Sequence, residues 1–168
     1  MKFGKIVIAL CLTVVAPFAA AGKVVVLDHQ IAMLATDFAK SRFEALQANP
    51  EFSKVVAQYE TLSADLTALG KEAETKGMTW GAEQVANHRK KEEYIKADLQ
   101  LAYQKIQAER KAANESIIRE LQPKLEGVLN KLIESEGIDI ILSKQAAFYA
   151  SENADITRKV VDALNKAK

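Results

Sequence analysis

The sequence predicts an α+β fold, mainly helical, in which a long antiparallel helical hairpin projects from a small β-containing body. Apolar residues recur at alternating three- and four-residue spacings through the centre of the chain, in two stretches parted by a glycine-rich break. Short β-branched runs occur only near the two ends of the region after residue 21. With 7 Gly and 3 Pro in 168 residues, a loop-rich or all-β chain is disfavoured, and 49% apolar with 27% charged residues disfavours global disorder.

Residues 1–21 read as a secretory signal peptide. Lys2 and Lys5 precede a ten-residue apolar run, Ile6 to Val15, too short to span a bilayer. Pro17 and Ala19-Ala20-Ala21 follow, placing cleavage before Gly22. A lipoprotein would need a small residue before Cys11, where Leu10 stands. The expected destination is the periplasm. Removing 21 residues leaves 147 with a net charge of −1 and no cysteine. Disulfides and thiolate metal sites are then excluded, and the charge balance argues against nucleic acid as a partner.

Lys23 to Asp28 reads as a short buried strand. Ile31 to Ala48 takes helical spacing, with Ile31, Leu34, Phe38 and Ala45 facing inward. Asn49-Pro50-Glu51 interrupts it and restarts a helix, with Asn49 as N-cap and Pro50 in the first turn. Phe52, Val55, Tyr59, Leu62, Leu66, Leu69 and Ala73 then form a heptad seam. Gly77 to Gly81 is a turn. Ile95, Leu99, Ala102, Ile106, Ala113, Ile117, Leu121 and Leu125 continue the spacing on the return helix. Residues 50–76 would span roughly 40 Å as a helix, more than a compact domain of this size needs. Residues 50–75 carry a net −3 and residues 76–119 a net +3, a bias expected to favour pairing of the two helices.

Pro123 should kink or restart the return helix. Together with Asn49 and Pro50 it is a candidate hinge. Gly137 is the helix stop, and Ile138 to Leu142 a strand. Ser143-Lys144-Gln145 is a turn, and Ala146 to Ala150, with Phe148 and Tyr149, a further strand. Asp155 is the expected N-cap of a last helix carrying Ile156, Val160 and Leu164 on one face. The organisation is then a body of residues 22–49 and 123–168 and an arm of residues 50–122 with its tip near 77–81. A body this small is marginal alone, and unpaired strand edges offer a route to oligomerisation.

No catalytic, cofactor or metal residues stand out. His29 and His88, the only histidines, lie far apart along the chain. No phosphate-binding loop, dinucleotide turn or nucleophile elbow occurs. Asn114-Glu115-Ser116 fits a glycosylation acceptor, but it falls inside a helical pattern. Met78 and Trp80 at the tip have little local core to join. They are either a contact for a partner or packing across the turn. Arg89-Lys90-Lys91 is a basic run, either a solvated helix turn or a surface for charged clients and anionic lipid.

The blocks Gly137-Ile138-Asp139-Ile140-Ile141-Leu142, Ala147-Phe148-Tyr149-Ala150 and Ala154-Asp155-Ile156-Thr157, the opening Val24-Val25-Val26-Leu27-Asp28 and the long charged helical pair between them resemble the Skp (OmpH-like) periplasmic chaperones. The resemblance covers essentially the whole chain after residue 21. It implies a homotrimer whose strands, carrying Val24, Val26, Ile138, Ile140, Leu142 and Phe148, join into a shared β-barrel body. It also implies an ATP-independent holdase, without cofactor, that encloses unfolded outer-membrane proteins between its arms. Met78, Trp80, Arg89, Lys90 and Lys91 are then candidate client contacts, and lipopolysaccharide a candidate ligand. The alternative is a structural coiled-coil or adaptor protein with one defined partner.

Overall fold

The computed structural model describes residues 22–167, so the expected signal peptide, its cleavage site and Cys11 lie outside the described residues. Strand β1 (Lys23–Leu27) leads into α1 (His29–Leu34) and α2 (Asp37–Ala48). Helix α3 (Pro50–Lys76) runs out to a 3-10 turn at Gly77–Thr79, and α4 (Ala82–Glu136) runs back as one 55-residue helix. Strand β2 (Ile138–Ser143), a 3-10 turn at Lys144–Ala146 and α5 (Thr157–Lys166) complete the chain. The fold is mainly helical, with a long helical arm and a small two-stranded sheet.

The arm follows its seam. Phe52 and Leu69 of α3 are buried, and Val55, Tyr59, Leu62, Leu66 and Ala73 are half-buried. They meet Ile95, Leu99, Ala102 and Ile106 of α4, and Tyr59 and Tyr103 approach with ring centroids 6.3 Å apart. The opposite charge bias of the two helices is not converted into contacts. Among the described residues no ion pair joins α3 to α4; Glu72–Lys76, Glu93–Arg89, Glu92–Lys96 and Glu115–Lys111 each pair within one helix, and the other pairs on α4 join Glu120 to Arg42 of α2 and Glu136 to Lys23 and Lys159. The apolar seam holds the inner faces, so the charges lie outside it and find partners one turn away.

The expected single helix over Ile31–Ala48 is two helices. Thr36, buried at the break, donates its hydroxyl to Met33 O at 2.8 Å and accepts from Ala39 N at 3.1 Å, ending α1 and capping α2. The break turns the buried face to Ala32, Met33 and Ala39, leaving Ile31 and Ala45 exposed, while Leu34 and Phe38 pack at the core margin. Asn49 acts as expected: Oδ1 accepts from Glu51 N at 2.9 Å and Phe52 N at 3.2 Å, with Pro50 in the first turn.

Helix α4 does not restart at Pro123; it continues through it to Glu136. Ile117, Leu121, Leu125 and Val128 lie on one side of α4 and are all buried in the core, so packing on both sides of the proline holds the helix together. Gly137 ends α4 with φ +60°, where its lack of a Cβ removes the usual strain.

No barrel forms. The sheet contains β1 and β2 alone, parallel, with Val24 beside Ile140 and Val26 beside Leu142. The other edge of β1 is occupied locally: Val26 N donates to Ala154 O at 2.8 Å, and Ile156 N donates to Val26 O at 3.0 Å. The strand expected at Ala146–Ala150 is absent, because the 3-10 turn at Lys144–Ala146 carries the chain off β2. Phe148 and Tyr149 stand exposed in irregular chain. Asp155 lies one residue before the observed cap, Ile156, yet its Oδ1 still accepts from Thr157 N at 2.9 Å. Ile156, Val160 and Leu164 are buried as expected, against Met33, Ile117 and Leu125 of one core.

Candidate functional site

The arm tip is built by the end of α3 and the first turns of α4. Lys76 O accepts from the Thr79 hydroxyl at 2.7 Å, and Gln84 Oε1 accepts from Gly81 N at 3.0 Å, which closes the turn and starts α4. Trp80 folds back against His88, with ring centroids 4.6 Å apart, and His88 Nε2 donates to Leu69 O at 3.0 Å. Trp80 is therefore packed across the tip, whereas Met78 is 100% exposed. Of the two sequence readings, packing across the turn describes Trp80, and Met78 is left in solvent.

The basic run divides in the same way. Arg89 pairs with Glu93 at 3.2 Å, while Lys90 and Lys91 have no ion pair among the described residues. Lys91 borders a shallow depression of about 290 Å³ with Leu69, Glu72, Trp80 and His88. One turn further on, the Lys96 ammonium hydrogen-bonds the Glu92 carboxylate and holds its pKa below the usual value.

Away from the tip, Asn49 and Pro50 form the joint between α2 and α3, and Pro123 lies inside α4 beside the core. The structure thus puts the candidate hinges on two different elements. Of the candidate assembly residues, Val26 and Ile138 are buried within the chain itself. Val24, Ile140 and Leu142 are half-exposed on the sheet, and Phe148 is fully exposed outside it.

Other exposed apolar side chains escaped the sequence reading. Val85, Tyr94, Leu101 and Tyr103 of α4 are all exposed. The signal was present: none of them occupies an assigned seam position of α4. Among the described residues no cluster of three or more His, Cys, Asp or Glu could hold a metal ion, and no helix is long and apolar enough to cross a membrane.

Compared with known proteins, residues 23–164 match the family model described as outer membrane protein (OmpH-like). The chain belongs to the OmpH-like family. It is also 28% identical over 172 residues to the Skp-like protein of Pseudomonas aeruginosa, an alignment covering 99% of each chain. The crystal structure of an OmpH-like outer membrane chaperone from Caulobacter crescentus CB15 superposes with a TM-score of 0.49 at 18% identity, over 88% of this chain and 86% of that one. As an OmpH-like protein it is a periplasmic chaperone, concerned with unfolded-protein binding and outer-membrane protein biogenesis, and not an enzyme.

Proposed function

We propose that this OmpH-like chaperone is an ATP-independent holdase that binds unfolded outer-membrane proteins after export and keeps them from aggregating. The observation that carries this reading is the long arm, α3 packed along α4, which keeps apolar side chains such as Met78 in solvent. Unfolded outer-membrane strands have apolar faces and free edges that aggregate. Many weak contacts at high effective concentration bind such chains tightly in sum and with little selectivity. Release needs no fuel: folding or insertion of the client removes the species that binds.

Residues 22–49 and 123–168 would serve as the body, and residues 50–122 as the arm. Self-association, in three copies as the family resemblance implies, would set several arms around one client. The half-exposed Val24, Ile140 and Leu142 and the exposed Phe148 support a contact between copies. Asn49, Pro50 and Pro123 would let the arms adjust to clients of different size. Lys90 and Lys91 would draw anionic lipid or lipopolysaccharide headgroups to the tip.

The test is aggregation of an unfolded β-barrel protein after dilution from denaturant, with nucleotide absent. A holdase suppresses it near stoichiometric amounts for unrelated β-barrel clients. Suppression of one client alone would point to a defined-partner adaptor, and no suppression would refute the proposal.

A further inference from the structure

The β1–β2 ladder has one irregularity, and it lies at the start of β1. Lys23 is paired with Ile138 and Val24 with Ile140, so Asp139 has no partner on β1. The bulge aims the Asp139 carboxylate at the beginning of the strand. Its Oδ2 accepts from Lys23 N at 2.6 Å, and a Cβ built on Gly22 would lie 3.0 Å from the same oxygen. Bond geometry then places the Gly22 nitrogen within about 5.5 Å of Oδ2. Asp139 is exposed and has no ion pair among the described residues. The other carboxylate of this corner, Glu136 at the end of α4, already takes Lys23 Nζ at 2.6 Å and Lys159 Nζ at 2.9 Å.

The sequence places signal cleavage before Gly22. Hydrolysis of the Ala21–Gly22 peptide bond adds water across it. The hydroxyl goes to the Ala21 carbonyl carbon and the hydrogen to the Gly22 nitrogen, which takes a further proton from solvent near neutral pH. A neutral amide with one N–H thus becomes an α-ammonium with three. From this juxtaposition we infer that Asp139 is the receiving site for the processed N-terminus: the new ammonium pairs with its carboxylate and clamps the open end of the β1–β2 ladder once the leader is removed. A charged donor bonds a carboxylate more strongly than the neutral N–H it replaces. Gly22 suits the place, because no side chain separates its backbone from Asp139. The clamp joins segments 116 positions apart, where the two ends of the chain meet. The inference needs cleavage before Gly22 and does not depend on the holdase reading.

The mass of the chain exported with its leader gives its first residue, expected to be Gly22. NMR then follows the α-amino group in the mature chain and in Asp139→Asn, whose side-chain oxygen can still accept from Lys23 N. In the mature chain the group should titrate about 0.7 pH unit above its ordinary value of about 7.7–8.0, and in Asp139→Asn at that ordinary value. An ammonium with a raised folded-state pKa stabilises below its unfolded value, and the contribution is lost as pH rises through the folded one, before lysines titrate near about 10.4. The unfolding equilibrium constant of the mature chain should therefore rise about fivefold between pH 7 and 9.5 relative to that of Asp139→Asn. A chain that keeps Ala19, Ala20 and Ala21 ahead of Gly22 should lack this extra pH dependence. An α-amino group at its ordinary value in both proteins overturns the inference. So does a first residue other than Gly22, or the same pH dependence in the extended chain.

Discussion

Lys144 and Asp155 form a 2.7 Å ion pair across the gap between the end of β2 and the start of α5. Asp155 also accepts from Thr157 N at 2.9 Å, so one carboxylate ties the irregular segment after β2 to the helix that fills the core. The residues on either side of it, Ala154 and Ile156, hydrogen-bond β1 through Val26. This corner therefore closes the free edge of β1 within the single chain.

The titration of Asp155 should be visible in stability. Burial raises its pKa, but the Lys144 hydrogen bond, the Thr157 hydrogen bonds and the Lys144 charge outweigh burial and bring it down to about 2. An Asp depressed in the folded state stabilises above its unfolded value of about 3.9, and that contribution is lost as pH falls towards the folded value. Asp155→Asn should thus cost about 1–2 kcal/mol near neutral pH. Denaturant unfolding of both proteins from pH 7 to 2 should show the difference shrinking below pH 4.

Gly137 and Gly127 should respond oppositely to alanine. Gly137 caps α4 at φ +60°, so Gly137→Ala should destabilise by about 1 kcal/mol or more. Gly127 lies within α4, and nothing is within 4 Å of a Cβ added there. Gly127→Ala should stabilise by about 0.5–1 kcal/mol. Melting temperatures of the two variants, shifted in opposite directions, check the pair.

Ile117 is 1% exposed and belongs to the core cluster that includes Met33, Ile156 and Val160. It lies in α4 ahead of Pro123 and shares one core with Leu125 and Val128 beyond it. Ile117→Ala should cost about 2–5 kcal/mol in equilibrium unfolding. Leu101→Ala, on the exposed flank, should change stability by less than about 0.5 kcal/mol.

Pro123 removes one hydrogen bond from a helix that continues regardless. Pro123→Ala should raise stability, by up to about 3 kcal/mol if the backbone is otherwise helical there. If the position also acts as a hinge, the variant should capture a narrower range of client sizes. An unchanged range with raised stability would leave Pro123 a tolerated bend and nothing more.

Trp80 is the only tryptophan, so its fluorescence reports on the tip. His88→Ala removes the ring stacked on it and should shift the emission to the red by exposing the indole to water. Unfolding measured by circular dichroism should remain nearly unchanged. A tip that melts together with the rest of the arm would contradict this local role.

Elements governed by local rules were legible from residue order. The seam from Phe52 to Ala73, the cap at Asn49, the break at Gly77–Gly81 and the stop at Gly137 rest on side-chain period, capping chemistry and backbone conformation. The candidate surface was only partly legible: Met78 and Lys90 could be singled out, while Tyr94 and Leu101 emerge only after the seam residues are known to be occupied.

Long-range competition decided the remainder. Thr36 breaks a helix because its hydroxyl bonds to both sides of the joint, and α4 passes Pro123 because residues before and after it share one core. Phe148 and Tyr149 have strand-like side chains, but β1 is paired by β2 on one edge and held by Ala154 and Ile156 on the other. Strand propensity describes what a segment can do. Which segment gains a backbone partner depends on residues more than a hundred positions away, and only the assembled tertiary structure contains that information.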